Sequence, residues 1–447
     1  MRISFCLLTG LIATAMASGQ APTAESRTVH LERYKPLPAP TPSGLLLKKG
    51  DRLAICGDSI TEQKMYSRIM EDYLTVCVPE LGVTVRQYGW GGETASGFLA
   101  RMTNDCLRFK PTIATTCYGM NDHEYRAFED RIGDRYREKS TAIVESFKAN
   151  GARVVLGSPG CVGKIPFWQK RTNDTLDDLN MNLCDLRNID IEIADKEKVG
   201  FADVFWPMLN AGVQAQKLYG TNYAIAGPDG VHPSWAGHAV MAYAFLKGLG
   251  LDGDIGTFIV DLKTHKMTAS KGHEVLASSP TEYHIKSSRY PLCSCTRTNA
   301  GKPSYPACAT DNWEKDTSIR SAMTLIPFNH DLNRFTLQAT GAEAKKYRIT
   351  WGTESKTFSA EQLAKGINLT DEFSKTPFAE AFAKVDAAVA AKQAYETTQI
   401  KQKFRSKEAN ENMEAVMAET EKQREPLAAA IKAAFVPVEH AIAIVAE

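Results

Sequence analysis

The sequence predicts an α/β fold of three layers, helix–sheet–helix around a parallel sheet, followed by a small β-rich accessory unit and a C-terminal helical region. Three observations carry this expectation. Between about residues 48 and 250, short apolar runs alternate with amphipathic stretches, and such alternation with short connections builds a parallel sheet covered on both faces. From 257 to about 351 the pattern shifts to short β-like runs separated by turn-rich segments. From Thr376 it shifts again, to apolar positions at helical spacing in an Ala-, Glu-, Lys- and Gln-rich background.

The elements follow in order. Met1–Gly19 has Arg2, an apolar stretch from Ile3 to Met16 and the Ala15-Met16-Ala17 pattern, which together read as an export signal over residues 1–17. A secreted or periplasmic location is the expectation. Residues 18–47 form an extended linker, since Pro36–Pro42 cannot be helical. Strands are expected at Arg52–Cys56, Val83–Tyr88, Thr112–Cys117, Arg153–Leu156 and Val199–Val204. Helices are expected through Tyr66–Leu74, Ala95–Phe109, Tyr136–Phe147 and Thr175–Ile189, and from a Ser234 N-cap to Leu249. The accessory unit (255–352) is expected to be antiparallel, with runs at Thr257–Leu262, Ala322–Ile326, Arg334–Ala339 and Tyr347–Trp351. In the tail (370–447), Thr376-Pro377 reads as an N-cap with a first-turn proline, and Phe378, Phe382, Val385 and Val389 form one apolar stripe.

With 447 residues the chain is long enough for two or three domains. A net charge of +1 gives no electrostatic case for nucleic acid or an anionic membrane surface. No stretch beyond the signal is long and apolar enough to insert into a bilayer. Of ten cysteines, Cys56, Cys77, Cys106, Cys117 and Cys184 lie in apolar runs and read as buried thiols. Cys293, Cys295 and Cys308 lie in a polar loop, where a disulfide or, second, a zinc site are the open readings.

Chemistry enters through four short segments. Ile55–Thr61 reads Ile-Cys-Gly-Asp-Ser-Ile-Thr, Tyr88–Thr94 reads Tyr-Gly-Trp-Gly-Gly-Glu-Thr, Gly119–Asp122 reads Gly-Met-Asn-Asp, and Asp229–Pro233 reads Asp-Gly-Val-His-Pro. The first three follow the first three predicted strands, and ligands of open α/β sheets bind outside the carboxyl ends of the strands. A serine, a histidine to take its proton and an aspartate to orient the histidine are the parts of a nucleophilic hydrolase. Taken alone, Ser59 is an ordinary turn serine; it is the four segments together that point to a site.

In this order the segments resemble the SGNH (GDSL) hydrolases, over roughly residues 48–250. The resemblance implies a flavodoxin-like domain and an esterase without metal or cofactor. It places the catalytic residues at Ser59, Asp229 and His232. The oxyanion donors fall at the Ser59 N–H, the Gly92 N–H and the Asn121 amide, with Gly91 as the alternative to Gly92. One departure is Gln87, where the family often has an asparagine. Asp58 is expected to support the turn, His238 to be structural, and Asp122-His123-Glu124 to form a solvated loop beside the site. Trp90, Tyr118, His123 and Trp168 are candidates for contacting substrate, the aromatics as stacking platforms for a sugar ring.

The expected substrate is an acylated small molecule or polysaccharide, first an O-acetyl carbohydrate ester. An esterase, lipase or thioesterase for small non-sugar acyl groups is the second reading. A non-catalytic glycan-binding protein is the third. The oligomeric state stays open.

Overall fold

A computed structural model of the chain describes residues 31–169, 173–294 and 317–447. The export signal and Cys295 and Cys308 lie outside the described residues. Among the described residues, no helix is long and apolar enough to cross a membrane.

Alternate side chains of strand β1 (Arg52–Gly57) enter two different cores. Leu53 and Ile55 pack with helices α2 (Tyr66–Val76) and α7 (Trp235–Gly248), whereas Ala54 and Cys56 pack with α3 (Ala95–Asp105) and α4 (Asp130–Ala149). That two-sided burial is why the strand reads as an unbroken apolar run. Between β1 and α2 lies the one-turn helix α1 (Ser59–Glu62). The sheet adds β2 (Thr84–Gln87), β3 (Ile113–Cys117), β4 (Arg153–Gly157) and β5 (Gly200–Ala202). It is parallel throughout, in the order β2-β1-β3-β4-β5. This is the flavodoxin-like order, with the direction of winding reversing between β1 and β3. Helix α5 (Leu176–Glu197) starts at a capping box between Thr175 and Asp178, and α6 (Phe205–Tyr219) follows β5. The linker wraps this layer: Leu37 N–H donates to Asn188 Oδ1 at 2.9 Å, and Tyr34 is buried against Phe205 and Trp206.

Beyond residue 250 two further sheets form. One has the order β13-β10-β6-β7, from β6 (Asp254–Asp261), β7 (Lys266–Ala269), β10 (Arg334–Thr340) and β13 (Ile367–Asn368). The other has the order β12-β11-β14-β9-β8, from β8 (His273–Ser278), β9 (Glu282–Ser287), β11 (Lys346–Trp351), β12 (Glu354–Ser359) and β14 (Val438–Ala446). Short helices α8 (Ile319–Ala322), α9 (Phe328–Leu332), α10 (Ala360–Lys365) and α11 (Leu369–Glu372) link them. The tail contributes α12 (Ala379–Lys401), α13 (Lys407–Glu411) and α14 (Met413–Ala434), with α12 and α14 paired as a hairpin.

Several expectations need correction here. The unit is not purely antiparallel, because β10 pairs with β6 in parallel. The run Ala322–Ile326 is not a strand; Ser318 caps helix α8 across its start. Helix α12 starts after Phe378 rather than at Thr376-Pro377: Phe378 is the N-cap residue, without a side-chain cap, and its buried ring stacks on Tyr290 with centroids 5.1 Å apart. The tail is not wholly helical either. His440, Ile442 and Ile444 alternate into the core as β14, which pairs antiparallel with both β9 and β11. Cys293 is a free buried thiol 3.2 Å from Thr376 Oγ1.

Candidate active site

Ser59 stands at the carboxyl end of the first strand. Asp58 leaves the strand conformation and caps α1 by accepting the Ile60 N–H at 2.9 Å, so Ser59 becomes the first residue of the helix. The segment before α7 comes back to the same edge. His232 Nε2 lies 2.9 Å from Ser59 Oγ, and His232 Nδ1 lies 2.7 Å from Asp229 Oδ2. The second Asp229 oxygen accepts the N–H groups of Val231 and His232, each at 2.9 Å. Partial burial pushes the Asp229 carboxyl up, but those two N–H donors and the imidazole outweigh it and hold the group below its ordinary value. The carboxylate thus stays ionised and fixes the imidazole with Nε2 toward the serine.

The donors sit around the same point of the sheet edge. Gly92 adopts φ +72°, a conformation that favours glycine. Gly91 donates its N–H to Glu62 Oε2, whereas the N–H groups of Gly92 and Ser59 have no partner among the described residues. That leaves Gly92 rather than Gly91 free to bind a ligand. The Asn121 amide is held at both ends: Tyr125 donates to its Oδ1 at 3.2 Å, and its Nδ2 donates to the Glu93 carbonyl at 3.0 Å.

Other sequence candidates lie elsewhere. Tyr118 is buried in the core, stacked on Phe98 and donating to Glu93 Oε2 at 3.1 Å. His123 is fully buried on the Met120 carbonyl, and burial pulls it down to about 4. Neither is placed to meet substrate. The Asp122–Glu124 segment is not a solvated loop: Asp122 is buried and accepts the N–H groups of Ala95 (3.1 Å) and Gly119 (3.0 Å), tying the turn after β3 to the start of α3. Trp90 is half-buried, with Arg101, Lys401 and Arg405 about its ring at 5.0–5.2 Å from the centroid, so it is not an open platform. His238 is buried between Tyr66 N and Gln63 Oε1 and is structural. Trp168 is 36 % exposed and its ring centroid is 6.1 Å from that of His232. Against it stands Phe167, 84 % exposed, with centroids 5.0 Å apart.

Sequence reasoning missed Glu62, Glu93, Tyr125 and Phe167. Glu93 holds Arg101 through two 2.6 Å contacts beneath the Gly92 turn. The signal for Glu62 and Glu93 was their place inside or just after the segments already singled out. Tyr125 and Phe167 carried none beyond aromaticity.

Residues 55–240 match the GDSL-like Lipase/Acylhydrolase family. The N-terminal half of the chain is an SGNH hydrolase domain of that family. It is similar to an acetylxylan esterase of Geobacillus stearothermophilus, 24% identical over 223 residues that span 45% of this chain and 95% of that one. The solved structure of Axe2, an acetylxylan esterase from the same organism, covers 46% of this chain and 97% of its own at 23% identity with a TM-score of 0.38. A gut microbial diltiazem-metabolizing enzyme covers 91% of this chain and 100% of its own, with a TM-score of 0.70 at 21% identity. Its likeness extends the shared fold through the accessory sheets and the helical tail.

Proposed function

We propose that this carboxylic ester hydrolase is a serine esterase using Ser59, His232 and Asp229, and that its substrates are O-acetyl esters of carbohydrates met outside the cytoplasm. The observation that carries the reading is the unbroken hydrogen-bond chain from Asp229 through His232 to Ser59, beside the Asn121 amide and the N–H groups of Ser59 and Gly92, which have no partner among the described residues.

The chemistry follows from that chain. Ser59 Oγ attacks the ester carbonyl while His232 Nε2 takes its proton. The oxyanion is met by the N–H groups of Ser59 and Gly92 and by Asn121 Nδ2, each such donor contributing about 3 kcal/mol to the transition state. His232 then protonates the departing alcohol. Water, deprotonated by the same nitrogen, attacks the acyl-serine and releases the acid.

Carbohydrate is favoured by three features: an N-terminus that reads as an export signal, an exposed Phe167–Trp168 pair beside His232 on which a sugar face can stack, and the similarity to an acetylxylan esterase. A second reading, a non-sugar acyl ester with an apolar alcohol, is favoured by Ile165, exposed beside Phe167.

The test is acetate release from acetylated xylan, pectin and algal polymers, set against long-chain acyl and small apolar acetyl esters. Wild-type protein is expected to act on the acetylated polymers and Ser59→Ala to release nothing. Residual turnover by Ser59→Ala near the wild-type rate would end the triad assignment.

A further inference from the structure

The C-terminal helix α12 reaches the active edge from outside the hydrolase domain. Lys401, its last residue, places Nζ 2.6 Å from Glu62 Oε1, while Glu62 Oε2 accepts the Gly91 N–H. Glu62 is three residues beyond Ser59 on α1. A single carboxylate therefore joins the helix bearing the nucleophile, the turn bearing Gly92 and the tail. One turn earlier, Thr397 Oγ1 accepts from Gln87 Nε2 at 2.8 Å and Glu396 Oε2 accepts from the Gln87 N–H at 3.1 Å. Gln87 Oε1 in turn accepts the Gly89 N–H. The turn lies flush on α1, since a Cβ on Gly89 would overlap the backbone of Thr61 and Glu62.

Three glycines in four residues leave residues 89–92 with little stiffness of their own. A misplacement of about 1 Å at a reacting centre can cost about a hundredfold in rate. The Glu62–Lys401 pair is part-exposed, and such pairs contribute little to global stability. Its removal therefore loosens the turn without unfolding the chain.

We propose that α12 is a positioning element of the active site: Lys401 through Glu62, and Thr397 through Gln87, hold the Gly89–Gly92 turn so that the Gly92 N–H stands where the oxyanion forms. This deepens the esterase reading and rests on it.

The experiment uses the full chain with Lys401→Met, Thr397→Val and both together. The readouts are kcat and KM on a chromogenic acetyl ester, thermal midpoint, and amide exchange of residues 89–93. The double variant is expected to lose about tenfold or more in kcat with KM within about twofold, as for a group acting only in the transition state. Exchange at 89–93 should quicken in parallel, and Lys401→Arg should restore most of both. Unchanged exchange at 89–93 would overturn the clamp. Faster exchange with wild-type kcat would overturn its catalytic role. The exchange readout stands even if wild-type protein turns over no ester, a result that would instead remove the esterase reading. Should the double variant fail to fold, Lys401→Met against Lys401→Arg carries the same comparison.

Discussion

Tyr125 Oη donates to Asn121 Oδ1 at 3.2 Å, and that bond decides which end of the Asn121 amide is turned toward Asp58 and Glu93, beside Ser59. With its oxygen held, the amide presents Nδ2 as a donor. Removing the donor and removing its orienter should therefore differ in size.

Asn121→Ala should lower kcat by about 10²–10³ with the fold intact. Tyr125→Phe should lower it by about tenfold, because Nδ2 still has the Glu93 carbonyl to anchor it. Steady-state kinetics on one ester checks both. Equal kcat for Tyr125→Phe and wild type would show that the orientation needs no help from position 125.

The pH dependence of stability should report on Asp58. Burial, helped by the charges of Asp122 and Glu93 and opposed by the Ile60 N–H, pushes its carboxyl up to about 7. The folded value thus lies above the unfolded one of about 3.9. Such a group favours the folded state at low pH, and that contribution is lost as pH rises from about 4 through about 7. Scanning calorimetry should show the wild-type midpoint falling relative to that of Asp58→Asn, which keeps an acceptor for Ile60, between about pH 4 and about pH 7; a constant difference across that range would remove Asp58 as the titrating group. Asp122, pushed up to about 6 by burial, gives a slope of the same sign, and His123, pulled down to about 4, one of the opposite sign, in both proteins, so the difference between them is the quantity to read.

Lys392, 1 % exposed, lies between Glu71 (3.0 Å) and Glu396 (2.9 Å) and donates to the Val85 carbonyl at 2.6 Å. It ties α12 to α2 and β2. Lys392→Met leaves the buried Glu71 carboxylate without its cation, while Glu396 keeps Arg424. Denaturant unfolding should show a loss of about 3–5 kcal/mol. A loss below about 1 kcal/mol would mean the carboxylates find other partners.

Phe167→Ala and Trp168→Ala should each raise KM for an acetylated oligosaccharide several-fold and leave kcat within about twofold, since a stacking contact of about 1 kcal/mol acts equally on ground and transition states. Unchanged KM in the double variant would remove the pair from the substrate path.

Much of the hydrolase layer was legible because its information is local. Ile55–Thr61 holds a strand, a cap and a nucleophile within seven residues, and Asp229 and His232 share one turn. What escaped depends on contacts far apart in sequence. Tyr118 and His123 sit at the edge of the site in sequence, yet their rings turn inward, because the Asp122 carboxylate draws the backbone N–H groups of Gly119 and Ala95 together. Nothing in the composition of α12 says that Lys401 meets Glu62, 339 residues away. The strand Val438–Ala446 has a period-two pattern, but the alanine-rich helix before it masks the change of period.

That last strand has a consequence for biogenesis. It lies between β9 and β11, so the sheet they share cannot close until residues 438–446 have left the ribosome. Tyr283 and Trp351, both buried beside it in the folded protein, must wait for residues 438–446 to be translated. Premature termination before position 438 would therefore leave a hydrolase layer with an open apolar seam, a substrate for proteases and chaperones.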